Sequence, residues 1–283
     1  KVKLTVTGPS GILNAGSIKA EGGKVLNTHL GGAGSGGSIW INTTKLAGAG
    51  TISANGAGTN FDGTLRYAGS GGRIAIYYGA FSDLTNNFSY PTNALANITA
   101  RGGIGVGSCA AGAGTVYLKS TAQTYGDLII DNKGTATCTS TTGTVINQPS
   151  IPANEAITAT SLTRTNSFGD SYATTISPYK GWYVDPKTTQ NATPKKSDNS
   201  LFKITNATAS VLTTTGGNMT SVATVADPGE LVLVMDNIEI GDKTTLNLGT
   251  VKLLSYGGDL RTNDTTTVAL TDAILPTGVE YVG

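Results

Sequence analysis

The chain of 283 residues has a formal net charge of +1, carries 39 glycines, about twice the ordinary ~7% share, and has only 13% charged residues against the usual ~25%. So even a balance gives no electrostatic reason to expect a nucleic acid or an anionic membrane surface as partner, and no window approaches the ~18 uninterrupted apolar residues of a membrane-spanning helix. Disorder is not indicated either, because 38% of the residues are hydrophobic and keep strand periodicity.

At the start, Lys1-Val2-Lys3-Leu4-Thr5-Val6-Thr7 alternates like a strand already inside a sheet. Because residue 1 is a lysine and Val279-Glu280-Tyr281-Val282-Gly283 is again strand-like, the chain reads as a piece of something longer. Exposed strand edges at the two ends would then need neighbours or an oligomeric partner, since no amphipathic cap helix is visible. Ser17-Ile18-Lys19-Ala20-Glu21-Gly22-Gly23 is a partial copy of an element that returns. Its fuller copies open on a glycine hinge followed by alternating large residues: Gly36-Gly37-Ser38-Ile39-Trp40-Ile41, Gly71-Gly72-Arg73-Ile74-Ala75-Ile76-Tyr77-Tyr78 and Gly112-Ala113-Gly114-Thr115-Val116-Tyr117-Leu118. After each comes a second strand: Thr51-Ile52-Ser53-Ala54-Asn55-Gly56, Asn97-Ile98-Thr99-Ala100-Arg101-Gly102-Gly103 and Leu128-Ile129-Ile130-Asp131-Asn132-Lys133-Gly134.

The spacing grows from 35 residues (Ile39 to Ile74) to 42 (Ile74 to Val116), so strands are kept while loops vary. That behaviour predicts an all-β chain folded as a right-handed parallel β-helix, a solenoid with its coils in residues 1–147. Trp40 and one of Tyr77 or Tyr78 are expected to face its core. The only two cysteines, Cys109 and Cys138, lie 29 residues apart, near one coil, and are the candidate disulfide. Closing a loop of that size is worth roughly 3 to 4 kcal/mol in the chain-entropy account. His29 is the only histidine and no CxxC pair exists, so no metal centre is expected.

From Gln148 to Pro228 the texture changes, with most of the prolines and the aromatics Tyr172, Tyr179, Trp182 and Tyr183. Short strands at Gly181-Trp182-Tyr183-Val184, Leu201-Phe202-Lys203-Ile204, Ala209-Ser210-Val211-Leu212 and Val222-Ala223-Thr224-Val225 have the spacing of a small antiparallel module. Asp127-Leu128-Ile129-Ile130-Asp131-Asn132 before it is echoed by Leu231-Val232-Leu233-Val234-Met235-Asp236-Asn237 after it. The module is therefore read as an insertion over residues 148–230, with resumed β-helix rungs in 231–283.

Gly36-Gly37-Ser38-Ile39-Trp40-Ile41, Ile52-Ser53-Ala54-Asn55-Gly56, Gly71-Gly72-Arg73-Ile74-Ala75-Ile76-Tyr77-Tyr78 and Gly114-Thr115-Val116-Tyr117-Leu118-Lys119 resemble the glycine-rich β-helix repeats of very large secreted or surface-anchored bacterial proteins of adhesin or fibre type. The resemblance covers about half the chain. Gly181-Trp182-Tyr183-Val184-Asp185-Pro186 with Leu201-Phe202-Lys203-Ile204 is similar to a segment that often accompanies such repeats. What the resemblance implies is an extracellular or cell-surface structural or adhesive segment of a fibre or filament. The resemblance implies no catalytic motif; self-assembly end to end or as a homo-oligomer is the expectation for such a segment, and no cofactor is expected. It transfers no site residues, because the shared positions are architectural glycines and strand hydrophobics.

Two other functions compete. A polysaccharide-binding surface would use aromatic rings against sugar faces, and Tyr179, Trp182 and Tyr183 on the module, following a proline, are the ligand-surface candidates; the module's own small core is the competing use. A polysaccharide lyase or hydrolase would need paired carboxylates ~5 to 10 Å apart or an arginine cluster. Asp127 and Asp131 could meet partners on a next coil, and Arg66, Arg73 and Arg101 could line one face, with turns and solvated surface as the alternatives. Calcium is the one conceivable cofactor, at Asn60-Phe61-Asp62-Gly63 or at Asp83 with Asn86, though no calcium-loop spacing is present.

Overall fold

The computed structural model describes residues 1–24, 32–58, 67–88, 94–105, 108–135, 144–145, 155–163, 179–187, 201–208, 210–241, 244, 246–247, 252–256, 260–262 and 279–282. In chain order the strands are β1 (Val2–Val6), β2 (Ile12–Leu13), β3 (Ser17–Lys19), β4 (Ser38–Thr43), β5 (Leu46–Ala47), β6 (Thr51–Ser53), β7 (Arg73–Tyr78), β8 (Ile98–Thr99), β9 (Thr115–Ser120), β10 (Asp127–Ile130) and β11 (Thr144–Val145). They continue as β12 (Ala156–Ile157), β13 (Ser161–Thr163), β14 (Tyr183–Asp185), β15 (Phe202–Ala207), β16 (Val211–Thr215), β17 (Glu230–Met235), β18 (Asn237–Ile240), β19 (Leu246–Asn247), β20 (Lys252–Tyr256), β21 (Leu260–Thr262) and β22 (Val279–Val282). The chain divides into two compact units, one of Lys1–Val145, Asp236–Asn247 and Gly258–Leu275, the other of Ile146–Met235, Leu248–Gly257 and Pro276–Gly283.

In the first unit the period of two along each strand decides what is inside. On β4, β7 and β9 every second residue is buried: Ile39 and Ile41, Ile74 and Ile76, Val116 and Leu118, all at most 4% exposed. The three strands run parallel with Ile39, Ile74 and Val116 as direct partners, and Ile41, Ile76 and Leu118 likewise, so the aliphatic side chains stack in columns. A second parallel group aligns Ile18, Ile52 and Ile98 on β3, β6 and β8. Both groups bury their apolar faces in one cluster that also takes in Leu46, Leu84 and Phe88. Full burial of such side chains contributes roughly 1.5 to 3 kcal/mol each.

The glycines directly ahead of β7 and β9 are not in the left-handed backbone region, since neither Gly72 nor Gly114 has a positive φ. What they permit is close approach: a Cβ on Gly114 would run into the Gly72 carbonyl, and one on Gly72 into the Gly37 carbonyl. The space they leave brings backbone from the two strand groups into contact. The N–H groups of Gly37, Gly72 and Gly114 donate to the carbonyls of Ala20, Ala54 and Ala100, the residues that follow β3, β6 and β8, at 2.6, 2.7 and 2.6 Å.

The expected right-handed parallel β-helix with an inserted antiparallel module is not the fold, because the sheets are mixed. The seven-stranded sheet has the order β1-β4-β7-β9-β10-β18-β21, and its parallel run stops at β9. There β10 returns antiparallel, with Leu128 opposite Tyr117, and β18 and β21 then pair parallel to β10. The reversal has a physical cause: Gly126 adopts φ +86°, and the Asp236 carboxylate accepts the Tyr125 and Gly126 N–H groups at 2.9 and 2.7 Å, holding the turn closed.

The second unit is also mixed. Its eight-stranded sheet, ordered β12-β13-β16-β15-β14-β17-β20-β22, is antiparallel from β12 to β17 and parallel from β17 to β22. The echo of Asp127-Leu128-Ile129-Ile130-Asp131-Asn132 in Leu231-Val232-Leu233-Val234-Met235-Asp236-Asn237 is not a resumed coil, since β17 pairs with β14 while β10 pairs with the later β18. Leu162, Tyr179, Val184, Phe202, Ile204, Leu212, Met219 and Leu231 form this unit's core.

Candidate functional site

Opposite the buried columns, β1, β4, β7 and β9 present an outward face. Three aromatic rings lie on it in a zigzag, because Trp40, Ala75 and Tyr117 share one register column while Tyr77 falls in the next. Trp40 and Tyr77 have centroids 5.8 Å apart and tilted by 49°, and Tyr77 and Tyr117 are 5.7 Å apart at 65°. The Lys3 ammonium sits 4.9 Å from the Trp40 ring centre, within cation–π reach. Trp40, expected in the core, is half-exposed here: it lies between Ile39 and Ile41, and with both of these inward a period of two turns Trp40 outward. Of the next pair, Tyr78 is inward at 2% exposure and Tyr77 outward.

At the C-terminal ends of β4, β7 and β9 a cavity of about 290 Å³ opens beside this row. Asn42, Tyr77 and Lys119 line it as direct neighbours in one register column, and Tyr78 and Ser120 line it as neighbours in the following one. Ser120 is 1% exposed, and its hydroxyl makes no hydrogen bond among the described residues. Lys119 Nζ donates to the Thr124 carbonyl and Tyr117 Oη to the Tyr125 carbonyl, so the loop after β9 pins the far edge of the face.

Burial, and then the Asp127 charge, push the Tyr78 phenol well above its ordinary value; burial acts first on Tyr117 too, followed by Tyr77, Asp236 and Asp127. A phenol whose folded pKa is raised stabilises fully below its unfolded value, near 10, and loses that contribution as pH climbs toward the folded one. Circular dichroism during alkaline titration should therefore show stability falling from about pH 10 upward. Tyr78→Phe should flatten that fall, and an unchanged alkaline limb in Tyr78→Phe would contradict it.

The other residues singled out from sequence fall elsewhere. Tyr179 is 2% exposed inside the second unit's core and meets Trp182 edge-on at 6.2 Å, Trp182 is half-buried against that core, and Tyr183 is half-buried on β14 between Lys203 and Val232. Cys109 is disulfide-bonded, and Cys138 lies outside the described residues. Asp127 is fully buried and accepts from Gln123 Nε2 at 2.7 Å and Asn237 Nδ2 at 2.6 Å. Asp131 pairs with Lys133 at 3.2 Å and lies against Gly241. On the next strand Asp127 and Asp131 thus face an asparagine and a glycine, not carboxylates.

Arg73 opens β7 and Arg101 follows β8, which belong to different sheets, while Arg66 lies outside the described residues. Asn60 and Asp62 lie outside them as well. Asp83 accepts the Ala80 N–H at 2.7 Å and lies 3.9 Å from Lys45 Nζ, which occupies the carboxylate proposed for calcium. Among the described residues no cluster of three or more His, Cys, Asp or Glu side chains could hold a metal. No helix among them is long and apolar enough to cross a membrane.

Read from the sequence, Trp40 and Tyr77 are rings that could stack on a sugar but Trp40 and one of Tyr77 or Tyr78 go to the core, and Tyr117 is passed over, although a signal for the outward row is present. In the repeat copies Trp40, Tyr77 and Tyr117 all stand in the opposite phase to the isoleucine and valine positions that set the core. Comparison with family models, with curated proteins and with solved structures returned no match.

Proposed function

We propose that the chain is a structural or adhesive, non-catalytic segment of an extracellular surface fibre, and that it assembles with copies of itself. The observation that carries this reading is the edge at β1. β1 ends its sheet, so the backbone groups on its far side have no strand partner among the described residues. Its inward residues Val2, Leu4 and Val6 are only half-buried, whereas their column neighbours on β4 and β7 are buried almost completely.

β3 repeats the situation at the edge of the three-stranded sheet with Ile18, and Leu13 on β2 is 76% exposed. An edge of apolar, unpaired strands is a template for another chain. Disulfide-bonded Cys109 supports an oxidising, extracellular setting.

Mass photometry across a concentration series tests the proposal. Particles that grow with concentration, and that stay monomeric in Leu4→Lys, are expected. A strict monomer at every concentration, or growth that Leu4→Lys leaves untouched, would sink it.

A further inference from the structure

We propose that the outward face of β1, β4, β7 and β9 binds an acidic glycan, a polymer of uronate-type sugars, with one sugar ring seated against Tyr77 in the cavity at the strand ends. Binding at this face does not require self-assembly, which uses the β1 edge and the inward residues instead.

Shape and chemistry both point to a sugar. The cavity, about 290 Å³, is at the small end of ligand sites and suits one ring of a longer chain lying across the strands. Tyr77, flanked by Trp40 and Tyr117, gives an apolar platform for the C–H face of a pyranose, and the 49° and 65° tilts keep the rings from stacking flat on one another. The Asn42 amide and the Lys119 side chain, on the same outward phase as Tyr77, line the same space.

Charge selects the acidic class. None of the four strands contains a carboxylate, while Lys3, Arg73 and Lys119 all lie on the outward side. None of these cations is ion-paired among the described residues, and Lys3 and Arg73 are exposed. In a protein of net charge +1, three cations on strands that themselves carry no acid are a local field suited to repeated carboxylates, offset in part by Asp83 beside Gly79 and by Asp127 and Asp236 near Tyr117. The aromatic row, set within that field, distinguishes a sugar chain from a featureless polyanion.

Isothermal titration calorimetry of the 283-residue chain with polygalacturonate, neutral dextran and a thymidine homopolymer strand, at about 0.15 M salt, tests this. Polygalacturonate should bind at least about tenfold more tightly than dextran, and Tyr77→Ala should weaken it roughly tenfold or more. A Lys3→Gln/Arg73→Gln double variant, which changes two exposed side chains, should weaken it roughly fivefold and reduce its salt dependence. Circular dichroism confirms that each variant is folded; if Tyr77→Ala is not, the double variant decides alone. No binding of polygalacturonate, binding indifferent to these variants, or tighter binding of the thymidine strand with the same dependence on them would overturn the proposal.

Discussion

Replacing Ile76 with alanine is expected to lower the unfolding free energy by about 4 kcal/mol. Ile76 is fully buried in the middle of β7, with Ile41 on one side and Leu118 on the other as direct register partners, both fully buried. Truncation removes three carbons from a site whose walls are parallel strands tied to each other on both edges. The walls cannot move inward to fill the space without breaking ladder hydrogen bonds, so the cavity term adds to the lost burial. Urea denaturation should show a lower midpoint at an unchanged slope. The neighbouring Ala75→Ser, on the outward side, should stay within about 0.5 kcal/mol of the parent. Equal losses from the two variants would mean that the inward and outward assignments of β7 are wrong.

Repeat spacing made the columns of that core legible. Ile39, Ile74 and Val116, equivalent in the glycine-led copies, are direct partners across β4, β7 and β9, and Ile18, Ile52 and Ile98 are partners in the second group. A period of two and a recurring sequence element are local, so they can be read directly from residues. The reversal after β9 is not local. It depends on the Asp236 carboxylate, which closes a turn 110 residues earlier in the chain at Gly126. Nothing near Tyr125-Gly126 says that such a partner will arrive, and without it a parallel run is the natural extrapolation.

The same limit applies to the second unit. Its strands were visible one by one, yet the join of β17 to β14 on one side and to β20 on the other is a long-range choice that makes the sheet mixed. For the candidate site the obstacle was different. Bulky aromatics were weighed as core or as loop-borne ligand groups, although Trp40 alternates with two isoleucines and period alone places it outside. For Tyr179 and Trp182 a ligand surface and the module's own core were both open, and Tyr179 is buried in that core with Trp182 partly buried against it.

Gly72→Val should cost about 4 kcal/mol or more, of which overpacking accounts for up to ~3 and a broken backbone hydrogen bond for ~1. The Gly72 N–H donates to Ala54 O at 2.7 Å and its carbonyl accepts from Thr115 N at 3.0 Å, so the residue ties two strand groups together. A Cβ there would strike the Gly37 carbonyl and the Gly36 backbone, atoms with no rotamer through which to escape. Relief demands that the backbones separate, and separation lengthens the matching contacts of Gly37 with Ala20 and Gly114 with Ala100, because the same connection recurs on adjacent strands. Gly8→Ala is the contrasting variant: nothing lies within 4 Å of a Cβ at that position and its φ is not positive, so its change should fall within about 0.5 kcal/mol. If the repeated glycines supplied only conformational freedom, a valine at a position whose φ is not positive would mainly reduce the entropy of the unfolded chain, and the change would be small or even stabilising, up to ~1 kcal/mol. A large loss at Gly72 beside a negligible one at Gly8 assigns the repeat glycines to close packing of backbone on backbone; a small loss at Gly72 returns them to the hinge role.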